Sequence, residues 1–169
     1  MIIAINKPKG PTSNQVLTEI KKITGIKKVG HAGTLDPLAS GVLVVAIGRD
    51  STKKLGEIVQ KEKEYIADIY LGKYSTTDDE EGDKTEIEVK TPPTKQDLEN
   101  VLKEFVGDIF QIPSIYSAIK INGKEAYKYA RRGESVEMKP RPAKIFDIKL
   151  IEYNYPNLKI DVTTGAGVY

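Results

Sequence analysis

The segment from residue 30 to residue 41 constrains this chain more than any other part of the sequence. It reads GHAGTLDPLASG, so three glycines and a proline fall within twelve residues, which a regular helix or strand does not accommodate. Apolar patterns on either side predict a helix over about 12–24 and a fully buried strand over 42–47. We therefore expect a rigidly held loop, the kind of segment that carries functional side chains. Asp36 and His31 are its ionisable residues.

Local signals along the rest of the chain predict helices and strands in an irregular order. A short buried strand is predicted over 2–6, and Thr12 with Gln15 forms a capping box for the first helix, which Gly25 ends. Further helices are predicted from Asp50 or Ser51, from Thr94, and over 125–132. Further strands are predicted over 64–71, 117–121, 144–153 and 158–162, with an acidic loop over 73–84 and a tight turn at Asn122-Gly123. We expect an α+β fold with a mixed, largely antiparallel sheet and flanking helices.

Composition excludes several classes of chemistry. The sequence has no cysteine and one histidine, so disulfides, thiolate catalysis and Cys/His metal centres are not expected. No apolar run approaches the roughly 20 residues that span a bilayer, and the first residues lack a signal-peptide pattern. We therefore expect a cytoplasmic protein that has no metal site and does not enter a membrane.

Charge is distributed unevenly although the net charge is only +2. Residues 1–54 hold nine basic against three acidic side chains, and residues 120–144 hold eight against three. Between them, residues 78–90 hold seven acidic side chains against two lysines. The two basic blocks are compatible with a face that binds a polyanion, but on charge alone ordinary solvated surface is the simpler explanation.

The individual residues also have ordinary structural explanations. Asp36 before Pro37 is typical of a turn in which the carboxylate accepts backbone N–H bonds. Tyr65 lies in a predicted strand, where an aromatic side chain is usually part of the core. A lone histidine such as His31 is most often a surface or hydrogen-bonding residue.

The segment over 30–41 resembles the signature of TruB-type tRNA pseudouridine synthases, with Asp36 at the position of their catalytic aspartate. Four more blocks resemble the same family, occur in its order, and extend the resemblance over nearly the whole chain. They are NKPKG over 6–10 with Ser13, KEY over 63–65, IPSIYSAIK over 112–120, and residues 127–133.

The resemblance implies an isomerisation of uridine to pseudouridine in the T-loop of tRNA, at position 55 in tRNA numbering. Asp36 is the carboxylate that breaks the glycosidic bond, as nucleophile or as base, before uracil rotates and rejoins ribose through carbon. Tyr65 stacks on the target base and is a candidate acceptor of its carbon-bound proton. His31 fills the space that the flipped base leaves. No cofactor is implied, and Asp36, Tyr65 and His31 are expected to line one cleft.

The resemblance also implies how RNA is held. The partner is the T-arm stem-loop of tRNA, bound by a protein that is monomeric at full length. Gly33 belongs to the substrate-binding loop, and Asp79 matches a family aspartate near the active site, although the adjacent Asp78 leaves that alignment open. Basic side chains are candidates for phosphate contacts. These are Lys7, Lys9, Lys27, Lys28, Lys120, Arg131 and Arg132.

Residues 1–169 are expected to be the N-terminal portion of a pseudouridine synthase catalytic domain. In the family, a similar strand ending continues, two residues after the tyrosine that Tyr169 matches, to an arginine that pairs with the catalytic aspartate. The remainder of that domain and a C-terminal RNA-binding domain follow there. We therefore expect the chain alone to show little or no turnover. The alternatives are a non-catalytic RNA-binding module or tRNA folding aid, and an α+β domain whose glycine-rich loop is only structural.

Overall fold

The computed structural model describes residues 1–59 and 62–169. The chain divides into two compact units, Met1–Lys61 and Glu62–Tyr169, which are described separately. Both combine antiparallel sheets with short helices, which confirms the predicted α+β fold. Within the described ranges, none of the helices has the length and apolarity needed to cross a membrane.

The first unit is a three-stranded antiparallel sheet in the order β1-β3-β2 with an apolar core built against its first helix. Its elements are β1 (Ile2–Lys7), α1 (Ser13–Thr24), β2 (Val29–His31), β3 (Gly41–Ile47), α2 (Arg49–Lys53) and α3 (Leu55–Val59). The buried core consists of Leu17, Ile20, Leu43, Val45 and Ile47.

Helix α1 begins and ends where its caps predict. The Thr12 hydroxyl accepts a hydrogen bond from the Gln15 backbone N–H at 3.1 Å, and the Gln15 side chain accepts one from the Thr12 N–H at 2.7 Å. Gly25 adopts φ +69°, a left-handed conformation that glycine adopts without strain. Both capping predictions are confirmed.

Three details of the first unit differ from the predictions. Strand β1 lies at the edge of the sheet, and its residues 2–6 are not buried but alternate between exposed and partly buried, whereas Lys7 at its end is buried. Strand β3 is buried only in part, since Val42 is 69% exposed. Helix α2 begins at Arg49, after Gly48 rather than at a side-chain cap, and a turn at Lys54 separates it from α3.

The second unit is a four-stranded antiparallel sheet in the order β4-β11-β10-β7, with two small hairpins, β5–β6 and β8–β9. Its elements are β4 (Lys63–Tyr70), β5 (Lys73–Ser75), β6 (Lys84–Glu86), α4 (Lys95–Glu104), β7 (Gly107–Gln111), β8 (Lys120–Ile121), β9 (Lys124–Glu125), α5 (Ala126–Ala130), β10 (Arg141–Asn154) and β11 (Asn157–Thr164).

Local signals again fix several elements here. Thr94 and Asp97 form a second capping box at the start of α4. Asn122 and Gly123 have φ values of +51° and +81°, which confirms the predicted tight turn between β8 and β9. The predicted strand over 117–121 is wrong for its first part, since β8 has only two residues, and β5, β6 and β7 were not predicted.

Candidate active site

The glycine-rich segment forms the connection from β2 to β3. His31 pairs with Val45 in the sheet, and the next residue, Ala32, donates its N–H to the Val44 carbonyl at 2.9 Å. The chain then leaves the sheet and returns at Gly41, where β3 begins. Both ends of the loop are therefore anchored in the same sheet.

Two further contacts hold the middle of this loop. The Ser13 hydroxyl, at the start of α1, is buried and bonds to both backbone groups of Leu35, each at 2.9 Å. One residue beyond Asp36, the Pro37 carbonyl accepts a bond from the Gly10 N–H at 2.8 Å. The backbone on either side of Asp36 is thereby fixed from outside the loop.

Asp36 itself presents its carboxylate to solvent. Its backbone carbonyl accepts the turn hydrogen bond from the Ala39 N–H at 3.0 Å, and the residue is exposed. Among the described residues, the carboxylate accepts no hydrogen bond and joins no ion pair. A carboxylate that served only to satisfy the turn would be engaged with backbone N–H groups. This side chain is therefore held at a fixed place and left available.

His31 occupies the start of the loop as a half-buried imidazole. Burial lowers its pKa below the usual 6.5, and a weaker backbone contact with Gly33 acts in the opposite direction. Its Nδ1 atom is buried and has no hydrogen-bond partner in the described part of the chain. Because burial lowers its pKa, the His31 imidazole is predominantly neutral at pH 7. Gly33, in the same loop, is exposed and has φ +115°, a conformation that a residue with a side chain adopts only with strain.

The predicted phosphate-binding lysines of the first unit differ in position. Lys9, Lys27 and Lys28 are exposed, as a phosphate contact requires. Lys7 is completely buried, and its ammonium donates to the carbonyls of Pro8 at 2.9 Å and Pro11 at 3.0 Å. A phosphate contact does not fit this position of Lys7. Its ammonium instead holds the turn that precedes α1.

Tyr65 lies in strand β4, where it pairs with Val162 of β11. The residue is 40% exposed, so its ring is not enclosed in the core of the second unit. The simple explanation of a packed strand aromatic therefore does not describe it, and part of the ring is accessible for stacking.

Asp79 lies between β5 and β6, and we call residues 75–84, which include one residue from each of these strands, the acidic turn. Its carboxylate accepts hydrogen bonds from the Thr77 hydroxyl and from the Glu81 N–H at 2.8 Å. The Lys84 ammonium closes the turn by donating to the carbonyls of Asp79 at 2.9 Å and Gly82 at 2.7 Å. The Asp79 side chain therefore serves the turn itself.

The remaining predicted RNA contacts, Lys120, Arg131 and Arg132, are all exposed and lie around β8 and α5. Sequence reasoning missed the tyrosines beside them. The Arg131 guanidinium lies 5.5 Å from the centre of the Tyr127 ring, and the Lys124 ammonium lies 3.9 Å from that of Tyr129. The alternation of tyrosines with basic residues over 124–132 was the signal that could have found them.

Metal ligands are not grouped in the residues that the structure describes: no set of three or more histidine, aspartate or glutamate side chains is placed to hold an ion. The candidate functional groups are therefore the available carboxylate of Asp36, the neutral imidazole of His31 and the partly exposed phenol of Tyr65.

Comparison with known proteins gives consistent matches. The family model described as TruB family pseudouridylate synthase (N terminal domain) matches residues 21–169. Two curated relatives named tRNA pseudouridine synthase B, from Francisella tularensis subsp. tularensis and Francisella philomiragia subsp. philomiragia, are 44% identical over 169 residues. Each alignment covers 99% of this chain and 56% of the relative, so the chain spans about half the length of these proteins.

Solved structures agree at the level of the fold. The crystal structure of a Cbf5-Nop10-Gar1 complex matches with a TM-score of 0.73 and 30% identity, over 99% of this chain and 40% of that one. An H/ACA RNP bound to a substrate RNA containing 2′-deoxyuridine matches with a TM-score of 0.69 and 28% identity, over 99% and 38% of the two chains.

Proposed function

Because the chain belongs to the TruB family of pseudouridylate synthases, we propose that the protein isomerises a uridine of tRNA to pseudouridine. Its target is the T-loop uridine, at position 55 in tRNA numbering, bound through the T-arm by one copy of the protein in the cytoplasm. The observation that carries the proposal is the Asp36 carboxylate, which is unengaged on a loop fixed by Ser13 and Gly10.

The reaction needs a carboxylate of this kind. Uracil must leave ribose, rotate and rejoin through carbon, and Asp36 starts the sequence by attacking the sugar or by removing a proton. Either role requires an ionised carboxylate with an oxygen that can reach the ribose or the proton to be removed. No redox change and no net hydrolysis occur, so the reaction needs no cofactor.

Two other side chains act on the flipped nucleotide. A uridine inside a folded loop is out of reach until it leaves the stack, at a cost of a few kcal/mol. The partly exposed ring of Tyr65 provides a surface on which the uracil stacks, and its hydroxyl is the candidate proton acceptor. The neutral imidazole of His31 takes the space of the extruded base without placing a buried charge there.

Exposed cations hold the RNA backbone. In the first unit these are Lys9, Lys27 and Lys28, and in the second they are Lys120, Arg131 and Arg132. The cation–π contact between Arg131 and the Tyr127 ring limits the motion of the guanidinium, so less entropy is lost when it meets a phosphate.

Base-resolution mapping of pseudouridine tests this function. The longest natural protein that contains the chain, called here the complete protein, is incubated with an unmodified tRNA transcript without added cofactor. We expect conversion of one uridine, in the T-loop, and none in a matched transcript with cytidine at that position. Conversion of uridines only in other arms, or of none, would contradict the proposal.

A further inference from the structure

The second unit contains an open groove of about 440 Å³ that none of the roles above uses. One wall is the acidic turn, which contributes Thr76 and Asp78. The rest of the lining includes the apolar side chains of Ile112, Ile115 and Met138 together with Ser114. Ile112 is 63% exposed, so the apolar surface is accessible. Polar and apolar groups contribute about equally to the surface of the groove, so an occupant could both pack on it and form hydrogen bonds there.

The acidic turn presents Asp78, rather than Asp79, to this groove. The Asp79 carboxylate is engaged inside the turn, whereas Asp78 lines the groove and, within the described residues, makes no side-chain hydrogen bond or ion pair. The turn is fixed, because Lys84 closes it and a Cβ on Gly82 would lie 2.5 Å from the Thr76 hydroxyl. Of the two neighbouring aspartates, Asp78 is therefore the one whose carboxylate is available to a ligand in the groove, and which of them matches the family aspartate stays a prediction.

We propose that this groove receives an unpaired nucleobase with an exocyclic amino group from the bound RNA, and that Asp78 accepts the hydrogen bond of that amino group. The inference rests on the proposed function, since it assumes an RNA substrate. Ile112 and Ile115 line the groove and offer the base apolar side chains to pack on, because a base exposes a π surface.

The charges of the groove select the occupant. An ionised carboxylate only accepts hydrogen bonds, so it favours the amino groups of adenine, cytosine or guanine. Uracil is disfavoured, because two carbonyl oxygens flank its single N–H and would face the carboxylate. A phosphate is disfavoured as well, because the acidic turn carries five carboxylates. Those carboxylates are Asp78, Asp79, Glu80, Glu81 and Asp83.

The test is a double-mutant cycle between the complete protein and a T-arm stem-loop RNA. Each amino group of the loop is removed in turn, with inosine for guanosine, purine riboside for adenosine and pyrimidin-2-one riboside for cytidine. The protein variant is Asp78→Asn, because asparagine tolerates the left-handed φ of +63° at this position. Glu81→Gln makes the same change of charge in the same turn and is the matched control.

At one loop position, removal of the amino group should weaken binding to the unaltered protein about tenfold and binding to the Asp78→Asn variant only about twofold to threefold, because a neutral amide oxygen accepts a weaker hydrogen bond than a carboxylate. Glu81→Gln should retain the full tenfold loss. The variant Ile112→Ser should weaken binding of the same RNA, and its exposed position makes unfolding unexpected. If removal of each amino group reduced RNA affinity equally in the unaltered and Asp78→Asn proteins, the proposed role of the groove would be overturned. The proposed function would not be affected by that result. Failure of the unaltered protein to bind the stem-loop would overturn both.

Discussion

At the residue scale, three aspartates of this chain have the same chemistry and different surroundings. Asp36 and Asp78 keep their carboxylates available, whereas Asp79 uses its carboxylate to hold a turn. Hydrogen bonds to the charged form of a carboxylate stabilise it locally and reduce its capacity to act on a ligand. Among these three aspartates, the two proposed to contact RNA are those whose carboxylates accept no hydrogen bond from the described part of the protein.

His31 should make stability depend on pH. Burial lowers its pKa in the folded state below the value of 6.5, so the folded protein binds fewer protons than the unfolded chain just below that pH. We expect the full contribution to stability above about pH 6.5 and a loss as the pH falls through the folded pKa. Thermal unfolding between pH 5 and pH 7.5 measures this.

The control for that prediction is His31→Gln. His31 is the only histidine of the chain, so no other histidine contributes in this range. The variant should show a flatter dependence of the unfolding midpoint on pH from 7 down to 5.5. An unchanged slope in the variant would show that His31 is not the group responsible.

At the element scale, the start of α1 is coupled to the catalytic loop. Ser13 follows the Thr12 cap directly and bonds to both backbone groups of Leu35, so a correctly started helix places the hydroxyl that fixes the loop. We expect Ser13→Ala to lower the free energy of unfolding by about 1–3 kcal/mol, because it leaves two backbone groups of Leu35 without their partner. Denaturant unfolding checks the change.

The same substitution should reduce turnover more than RNA binding, because it loosens the loop that carries Asp36 and leaves the exposed lysines in place. Ser40→Ala, at an exposed position of the loop, is the matched control and should change stability by less than about 0.5 kcal/mol. If Ser13→Ala were as stable and as active as Ser40→Ala, the proposal that the Ser13 hydroxyl fixes the loop would be rejected.

Elements with strong local signals were predictable from sequence, and those without them were not. The caps of α1, the start of α4 at Thr94 and the turn at Asn122-Gly123 depend on neighbouring residues, and all three were predicted. Strand β7 was missed because it is short and begins with glycine and aspartate, two residue types that are depleted in strands.

The candidate site shows the same division. The motif around Asp36 was readable, because a loop with three glycines between apolar elements has few alternatives. The burial of Lys7 was not, because a cage of backbone carbonyls exists only after the turn at Pro8 and Pro11 has formed. The exposure of Val42 likewise depends on which face of the sheet is covered.

At the scale of the whole molecule, family membership and fold are established, and the joint action of its parts stays a prediction. Asp36 and His31 belong to the first unit and Tyr65 to the second. The expectation that these three residues line one cleft therefore stays a prediction, which measurements of activity can test. The second unit also exposes large apolar side chains, among them Phe110 at 78%. Apolar surface of this kind commonly marks an interaction site. The expectation that the 169-residue chain alone shows little turnover also stays a prediction.

The most direct test of the account is the release of tritium from a T-arm RNA labelled at carbon 5 of its uracils, because pseudouridine formation replaces that hydrogen with a bond to ribose. The complete protein is compared with Asp36→Asn and with Asp50→Asn, a control carboxylate that is 98% exposed in α2. Asp36→Asn should release tritium at least about a hundredfold more slowly, while its RNA affinity stays within about tenfold. Asp50→Asn should match the unaltered protein. Equal release by Asp36→Asn and the unaltered protein would contradict the assignment of Asp36 as the catalytic carboxylate.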